Sequence, residues 1–210
     1  MILSARLNDI ESEAMQIITD IDQGSEEWLS LRLGYITASK FKDVMAKGAG
    51  KTRKSYMLKL AGEIITGLFE ESYSNEYMQW GTETEPQARS MYELETGNEV
   101  EEIAFIKHES LRAGCSPDGL IGNDGLIEIK CPKTTTQIET FLSGEMPKIH
   151  APQVQGQLWI SNRDWCDFVS FDPRINGSSA YLCTRIFRDE EYIKQLEESV
   201  IKFNKELNEI

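Results

Sequence analysis

Residues 116–130 read SPDGLIGNDGLIEIK, and this stretch decides the fold. Gly122-Asn-Asp-Gly125 is a turn signal between two apolar runs, which predicts a β-hairpin. Side chains alternate faces along a strand, so Glu128 and Lys130 share one face. The two isoleucines beside them share the other face, which we expect to be the buried one. The tight turn then places Asp118 alongside Glu128, so two carboxylates and an ammonium converge on a rigid scaffold.

This trio of charges suggests a metal site. Two acids so close repel each other unless a positive charge lies between them. Carboxylates plus a strand carbonyl suit a hard ion such as Mg²⁺ or Mn²⁺, which promotes phosphodiester hydrolysis. Lys130 is then expected to orient the attacking water rather than abstract its proton, because nearby carboxylates raise a lysine pKa. The plainer alternative is a turn aspartate beside a surface ion pair.

The hydrophobic period changes from 3.6 to 2 near residue 100, which predicts helices before the hairpin and strands around it. Predicted helices begin at Ser25, near Thr37 and at Pro152, cover about 56–67 and 76–96, and follow an Asp189 cap. Predicted strands cover 100–107, 113–116, 119–121, 126–130, 165–171 and 181–187. Pro86 conflicts with an unbroken helix over 76–96, so we expect a later start or a kink near Glu85.

The order of these elements favours an α/β fold with a central mixed β-sheet flanked by helices. The length of 210 residues predicts one domain over 1–210, with residues 1–20 as a peripheral extension. No apolar run is long enough for a membrane span. The first thirty residues carry acids instead of a basic start and an apolar core, so we expect no secretion signal and a cytoplasmic location. The four cysteines form no CxxC pair, which argues against an iron–sulfur cluster.

The net charge of −13 argues at first against a nucleic-acid partner. The charges are unevenly distributed, however. Residues 40–59 hold seven bases and one acid, whereas 189–209 hold seven acids and three lysines. Such asymmetry permits a positive groove on an anionic body. The alternative is that the lysine-rich segment, including a flexible loop at 47–51, is only a solvated face.

The wider pattern resembles a known family. Pro117-Asp118 with Glu128-x-Lys130 is the PD-(D/E)xK nuclease signature. The surrounding sequence is similar to the lambda-type 5′→3′ exonucleases, the viral alkaline exonuclease group. Matching segments occur in the same order at 28–39, 80–89, 115–120, 128–132, 153–155 and 171–174. The resemblance implies a restriction-endonuclease-like core.

The resemblance also implies a role for each matching position. Asp118, Glu128, the Ile129 carbonyl and Glu85 would bind metal, Lys130 would be catalytic, and Gln153 would contact the active site. Arg32, Ser39 and Ser116 would form the pocket for the 5′-phosphate. Beyond the resemblance, we add further candidate DNA contacts: Trp28 beside Arg32, Gln157 one turn after Gln153, and Lys51, Arg53 and Lys54 of the basic segment. His150 stands where the family often has tyrosine, so its role stays open.

Several of these positions have a plainer interpretation. The planar guanidinium of Arg32 matches a phosphate, but a single helix arginine is more often a surface residue. Trp28 lies on the same helical face and could stack on a base or pack in the core. Glu85 shares a face with Ala88 and Tyr92, which would direct it toward the sheet, but it could also be solvated.

The implied activity is Mg²⁺-dependent degradation, with Mn²⁺ as a substitute, of the 5′-ended strand of linear double-stranded DNA. The 3′ overhangs would serve a single-strand annealing protein in phage-type recombination, and the enzyme would be a ring-shaped homotrimer in a bacterial host. Two alternatives remain open. One is an endonuclease with the same site, cutting at restriction sites or junctions, and the other is a non-catalytic module that binds DNA ends.

Overall fold

The computed structural model describes residues 15–46, 51–69 and 76–210. Within these ranges the strands are β1 (Gln16–Ile18), β2 (Ile36–Thr37), β3 (Phe105–Lys107), β4 (Ala113–Cys115), β5 (Gly119–Ile121), β6 (Gly125–Lys130), β7 (Trp165–Phe171) and β8 (Tyr181–Phe187). The α-helices are α1 (Glu26–Leu31), α2 (Phe41–Val44), α3 (Lys51–Thr66), α4 (Glu76–Thr96), α5 (Thr134–Ser143), α6 (Ala151–Ser161) and α7 (Glu190–Asn208).

The strands form two four-stranded sheets, ordered β1-β3-β4-β2 and β5-β6-β7-β8. Each sheet is mixed, because β2 pairs with β4 and β6 with β7 in parallel, while the other pairs are antiparallel. The predicted class is confirmed, although we expected a single central sheet. Pairing is interrupted between β4 and β5, where Pro117 has no N–H to donate to a ladder. A single bridge between Glu101 and Leu120 lies next to this break.

Helices cover both faces of the second sheet. On one face, Ala88 and Tyr92 of α4 pack with Ile127 and Ile129. On the other, Leu126 of β6 packs in the same core cluster as residues of α6 and α7. The expectation that only the isoleucine face of β6 is buried is therefore wrong. A strand with a parallel neighbour is commonly covered on both sides, and the Glu128 face lies under α6.

Local signals placed most helix ends well. Ser25 caps α1 by accepting from Trp28 N at 3.1 Å, and Asp189 caps α7 by accepting from Tyr192 N at 3.0 Å. Gly97 ends α4 with φ of +70°. The expected late start of α4 is wrong, because the helix runs continuously from Glu76 to Thr96 with Pro86 inside it.

The extension predicted at residues 1–20 is more structured than expected in its last part. Gln16–Ile18 forms the edge strand β1, which pairs antiparallel with β3. Residues 1–14 lie outside the described part of the chain, as does most of the basic loop predicted at 47–51. The strand predicted over 100–107 is shortened to Phe105–Lys107, and α5 was not predicted. Among the described helices, none is long and apolar enough to cross a membrane.

Candidate active site

Asp118 is held against strand β6 by two hydrogen bonds to the backbone of that strand. Its own N–H donates to the Ile127 carbonyl at 3.1 Å, and the Ile129 N–H donates to its Oδ2 at 2.5 Å. The hairpin closes with Gly119 opposite Ile127. The turn therefore places the Asp118 carboxylate beside the strand that carries Glu128 and Lys130, as the sequence predicts.

Glu128 is buried, with 1% of its surface exposed, and its carboxylate is surrounded by donors. Gln153 donates its amide Nε2 to Oε1 at 2.6 Å, and Lys130 forms an ion pair with the same oxygen. Gln157 donates to Oε2 at 2.6 Å. The two glutamines lie one turn apart on α6, so this helix holds both carboxylate oxygens. Gln157 is also 1% exposed and bonded to Glu128, and its predicted DNA contact stays a prediction.

The charges of the site act strongly on one another. Burial, then Glu128 and Glu85, raise the pKa of Asp118 well above its ordinary value. Burial alone would lower the pKa of Lys130, but Glu128 and Asp118 outweigh it and the pKa is raised. The raised pKa favours the ammonium form of Lys130, which agrees with an orienting role for this side chain. Clusters of residues with shifted pKa values are typical of functional sites.

Glu85 approaches the site from helix α4 and is already in an ion pair. Its Oε1 accepts from Arg89 Nη2 at 2.7 Å, while Arg89 Nη1 lies 2.8 Å from Glu102. Burial raises the pKa of Glu85, Arg89 opposes the shift, and the charge of Glu128 adds to it. Glu85 thus lies within electrostatic reach of Glu128, as its helical face predicts.

The donor chemistry of the site fits a hard divalent ion. In the described part of the chain, no three His, Cys, Asp or Glu side chains are grouped closely enough to hold an ion unaided. The oxygen donors available are the carboxylates of Asp118 and Glu128 and the Ile129 carbonyl, which are of the type that Mg²⁺ prefers. Burial, followed by the charges of Glu128 and Glu85, raises the pKa of Asp118, and a cation beside its carboxylate would oppose this shift. The residues present therefore fit a bound cation.

A cavity of about 810 Å³ lies around Arg32 and is lined by residues of α1, α3 and the turn before α2. The Arg32 guanidinium carbon lies 3.8 Å from the centre of the Trp28 ring. Its Nε is buried and finds no hydrogen-bond partner among the described residues. Burial lowers the pKa of Arg32 to about 10. Ser39 also lines this cavity, together with Lys40, Lys59, Asp43 and Glu63. Lys40 and Lys59 pair with the two acids, at 3.5 and 3.9 Å. The Arg32 guanidinium is therefore the group in the cavity that suits an anion.

Ser116 does not line the Arg32 cavity. It lies between this cavity and the hairpin acids. Its hydroxyl donates to the Ala104 carbonyl at 2.7 Å and accepts from Trp28 Nε1 at 3.1 Å. A serine hydroxyl has one proton, so it has none left for a phosphate. The predicted phosphate contact of Ser116 is therefore not supported by this geometry.

The three bases predicted on α3 differ in their surroundings. Lys51 and Lys54 are exposed, as a DNA-contacting role requires. Arg53 instead donates to Glu206 of α7 at 2.7 Å and lies 5.0 Å from the Phe203 ring. Arg53 therefore binds helix α7, whereas the two lysines extend into solvent.

Two residues near the site were missed or left open by sequence reasoning. Gln23 donates to the Pro117 carbonyl at 2.9 Å and to the Ile103 carbonyl at 2.8 Å. No local signal could reveal a contact across 94 residues. His150 stacks on Phe168 with ring centres 5.3 Å apart, and burial together with Lys130 lowers its pKa to about 4. His150 is therefore neutral at the edge of the site.

The α/β fold, the hairpin acids and the adjacent lysine together define a nuclease of the PD-(D/E)xK type. Comparison with known proteins gives the family. Residues 27–164 match the model of the YqaJ-like viral recombinase domain, and the chain belongs to this family. The described domain is accordingly a phage-type exonuclease domain. Members of the family act on DNA ends and depend on a divalent metal ion.

Solved structures agree with this assignment. The crystal structure of the alkaline exonuclease LHK-Exo from Laribacter hongkongensis is 46% identical, with a TM-score of 0.82, over 87% of this chain and 92% of that chain. The same exonuclease in complex with dAMP is 47% identical over the same shares of the two chains, with the same TM-score. A phage related exonuclease from Haemophilus somnus shares the fold with a TM-score of 0.64 at 19% identity, over 83% of this chain and 94% of that chain.

One viral relative is much longer. The uncharacterized protein R354 of Acanthamoeba polyphaga mimivirus is 27% identical over 174 residues, or 75% of this chain. The chain spans 30% of the length of that relative.

Proposed function

We propose that the chain is a Mg²⁺-dependent 5′→3′ exonuclease, with Mn²⁺ as a substitute, that degrades the 5′-ended strand of linear double-stranded DNA. The observation that carries this proposal is the pairing of two sites. The acids and lysine of the hairpin form one, and the Arg32 cavity forms the other. They are joined by the Trp28–Ser116 hydrogen bond of 3.1 Å. An enzyme that recognises a terminal phosphate needs such a pocket near its catalytic residues.

Asp118, Glu128 and the Ile129 carbonyl would hold the ion, with Glu85 as a further acid. When bound, the ion lowers the pKa of the attacking water and neutralises charge on the scissile phosphate. Gln153 and Gln157 keep the Glu128 carboxylate in one orientation. The ammonium group of Lys130 would orient the water and stabilise negative charge that develops at phosphorus.

The Arg32 cavity would receive the 5′-terminal phosphate. A guanidinium forms bidentate hydrogen bonds with a phosphate, and Ser39, exposed at the cavity wall, supplies a hydroxyl donor. Trp28 would support Arg32 by stacking. The dAMP complex of LHK-Exo supports this substrate class, since a nucleoside monophosphate is what an exonuclease acting on DNA releases.

The proposal is tested with linear duplexes that carry either a 5′-phosphate or a 5′-hydroxyl, labelled on one strand at a time. We expect loss of the 5′-ended strand, faster digestion of the phosphorylated end, and no digestion with a chelator in place of Mg²⁺. Preferential loss of the 3′-ended strand would contradict the proposed polarity.

A covalently closed circular duplex separates this proposal from the endonuclease alternative. An exonuclease leaves the circle intact, whereas an endonuclease with the same catalytic residues opens it. The Arg32 cavity favours the exonuclease, because a terminal-phosphate pocket has no use at an internal cut. The non-catalytic alternative is disfavoured by the intact set of Asp118, Glu128 and Lys130.

We also propose a homotrimeric ring and delivery of the 3′ overhangs to a single-strand annealing protein. Support comes from the charge distribution: a ring can direct the exposed bases of α3 to a DNA channel and the acids of α7 outward, despite a net charge of −13. Sedimentation equilibrium tests the trimer, and a mass of one chain at micromolar concentration would contradict it. The partner is tested by adding an annealing protein to the reaction. We expect it to cover the 3′ overhang more efficiently when it also binds this chain.

A further inference from the structure

The segment just before Asp118 is held by two side chains from the N-terminal part of the chain. Gln23 donates its amide to the carbonyls of Pro117 and Ile103, at 2.9 and 2.8 Å. Trp28 donates its indole N–H to Ser116 Oγ at 3.1 Å and to the Ala104 carbonyl at 2.9 Å. We call Gln23 and Trp28 the turn clamp. Together they fix residues 116–117 from outside the hairpin.

The turn clamp lies between the two sites. The Trp28 ring that bonds Ser116 also carries the Arg32 guanidinium at 3.8 Å. Asp118 follows Pro117 directly and is fixed on its other side by the Ile129 N–H at 2.5 Å. A continuous series of contacts therefore runs from the Arg32 cavity to the catalytic carboxylate, through one stacking contact, one hydrogen bond and two peptide bonds.

We propose that Gln23 and Trp28 are positioning residues that couple a 5′-phosphate seated in the Arg32 cavity to the placement of Asp118. The inference rests on the proposed function, since it takes the terminal phosphate as the ligand of that cavity. Its consequence is that a phosphorylated end accelerates hydrolysis at saturating DNA, beyond any gain in affinity.

The physical reason is restraint. A phosphate bound by Arg32 fixes the guanidinium, which limits the motion of the indole stacked under it and of the serine that the indole bonds. Displacement of a catalytic group by about 1 Å can cost about a hundredfold in rate. Ser116 transmits this restraint because its single proton is already donated to the Ala104 carbonyl.

Gln23→Ala tests the coupling, because Gln23 does not line the Arg32 cavity and its side chain is at the surface. Cleavage rates at saturating DNA are measured on 5′-phosphorylated and 5′-hydroxyl duplexes, and binding of both is measured in chelator. We expect the rate on phosphorylated ends to fall roughly tenfold. The rate on hydroxyl ends should fall less, so that the acceleration by a 5′-phosphate decreases, while the affinity for phosphorylated ends stays near wild type. Gln23→Lys restores a donor and should recover part of the rate.

Ser116→Ala provides a second test, with Ser199→Ala as the matched control. Ser199 donates to a backbone carbonyl at 2.8 Å on α7, away from both sites. We expect Ser116→Ala to reduce the phosphate-dependent acceleration, as expected for Gln23→Ala, and Ser199→Ala to keep it.

The outcomes separate the coupling from the proposed function. An equal decrease in rate on both kinds of end, or no decrease in either variant, would overturn the coupling and leave end recognition intact. If the wild-type chain itself treats phosphorylated and hydroxyl ends alike, the proposed end pocket fails, and the coupling fails with it.

Discussion

At the scale of single residues, Glu128 shows how a buried charge is supported. Its two oxygens accept from Gln153 and Gln157 at 2.6 Å each, and Lys130 adds an ion pair. A buried carboxylate without such partners is strongly destabilising. Gln157 itself is imperfectly satisfied, because its Oε1 is buried and has no partner among the described residues. The NH₂ group of Gln157 therefore serves to bind Glu128, whereas its carbonyl oxygen forms no hydrogen bond with the described residues.

The role of Gln157 is tested by Gln157→Met, which preserves side-chain volume and removes the donor to Glu128. We expect kcat on linear duplex to fall roughly tenfold, since an unmade hydrogen bond to a buried charge costs about 1–3 kcal/mol. Gln155→Met is the control on the same helix: Gln155 bonds the Phe187 carbonyl and the Asp189 N–H, far from the acids. That variant should be less stable but keep kcat. Equal kcat values for the two variants would contradict a positioning role.

Asp118 is predicted to reduce stability in the absence of metal. Its charge is desolvated and repelled by Glu128 and Glu85, which raises its pKa. Asp118→Asn should therefore abolish hydrolysis and, in chelator at neutral pH, stabilise the fold by about 1 kcal/mol. Thermal unfolding measures the change. The exposed turn residue Asp124 gives the control Asp124→Asn, which should alter neither property. A less stable Asp118→Asn would show that the acids are already well compensated.

At the scale of elements, helix α6 positions the site by packing unusually close to the start of α2. A Cβ added at Gly156 would lie 2.3 Å from the Phe41 ring. Phe41 is fully buried in the main core and has no room to retreat. The glycine therefore lets α6 come near enough for Gln153 and Gln157 to reach Glu128.

Gly156→Ala is expected to destabilise the fold by about 1–3 kcal/mol, as overpacking of a core does. Gly62→Ala is the matched change in the interior of α3, where nothing among the described residues lies within 4 Å of the added Cβ. It should stabilise the fold by up to about 1 kcal/mol through helix propensity. Denaturant midpoints measure both. If Gly156→Ala left stability unchanged, the space between α6 and Phe41 would be larger than this distance indicates.

At the scale of the whole molecule, charge is segregated. The chain carries −13, yet α3 presents Lys51 and Lys54 to solvent. The acidic helix α7 neutralises Arg53 through Glu206 at 2.7 Å. We therefore expect DNA binding to depend on a few exposed bases rather than on net charge.

The double variant Lys51→Ala with Lys54→Ala should bind DNA more weakly, with less dependence on salt. Removal of one lysine that neutralises a phosphate lowers the slope of log affinity against log salt by about 1. For the two lysines together, we expect the magnitude of this slope to decrease by about 2, measured between about 50 and about 200 mM salt. Lys202→Ala with Lys205→Ala on α7 removes the same charge elsewhere and should leave the slope unchanged. Identical slopes for the two double variants would exclude α3 from the DNA-binding surface.

Sequence alone determined those features that rest on local physical chemistry. The caps at Ser25 and Asp189 depend on neighbouring N–H groups, and the hairpin over 119–130 depends on its turn and on alternation. The strands 165–171 and 181–187 were located to the residue. Because Asp118 is only ten residues from Glu128 in the sequence, their convergence also followed from the turn. The roles assigned to Glu85 and Arg32 came from resemblance and stay predictions.

Tertiary structure alone decided what depends on contacts between distant segments. The division into two sheets, the edge strand at Gln16–Ile18 and the burial of both faces of β6 require knowledge of which elements become neighbours. Gln23 reaches Pro117 across 94 residues, and Gln157 reaches Glu128 across 29. A glutamine has no charge and follows no periodic pattern, so the sequence does not indicate which distant group its amide will bind. Their hydrogen bonds exist only once packing has removed competing water.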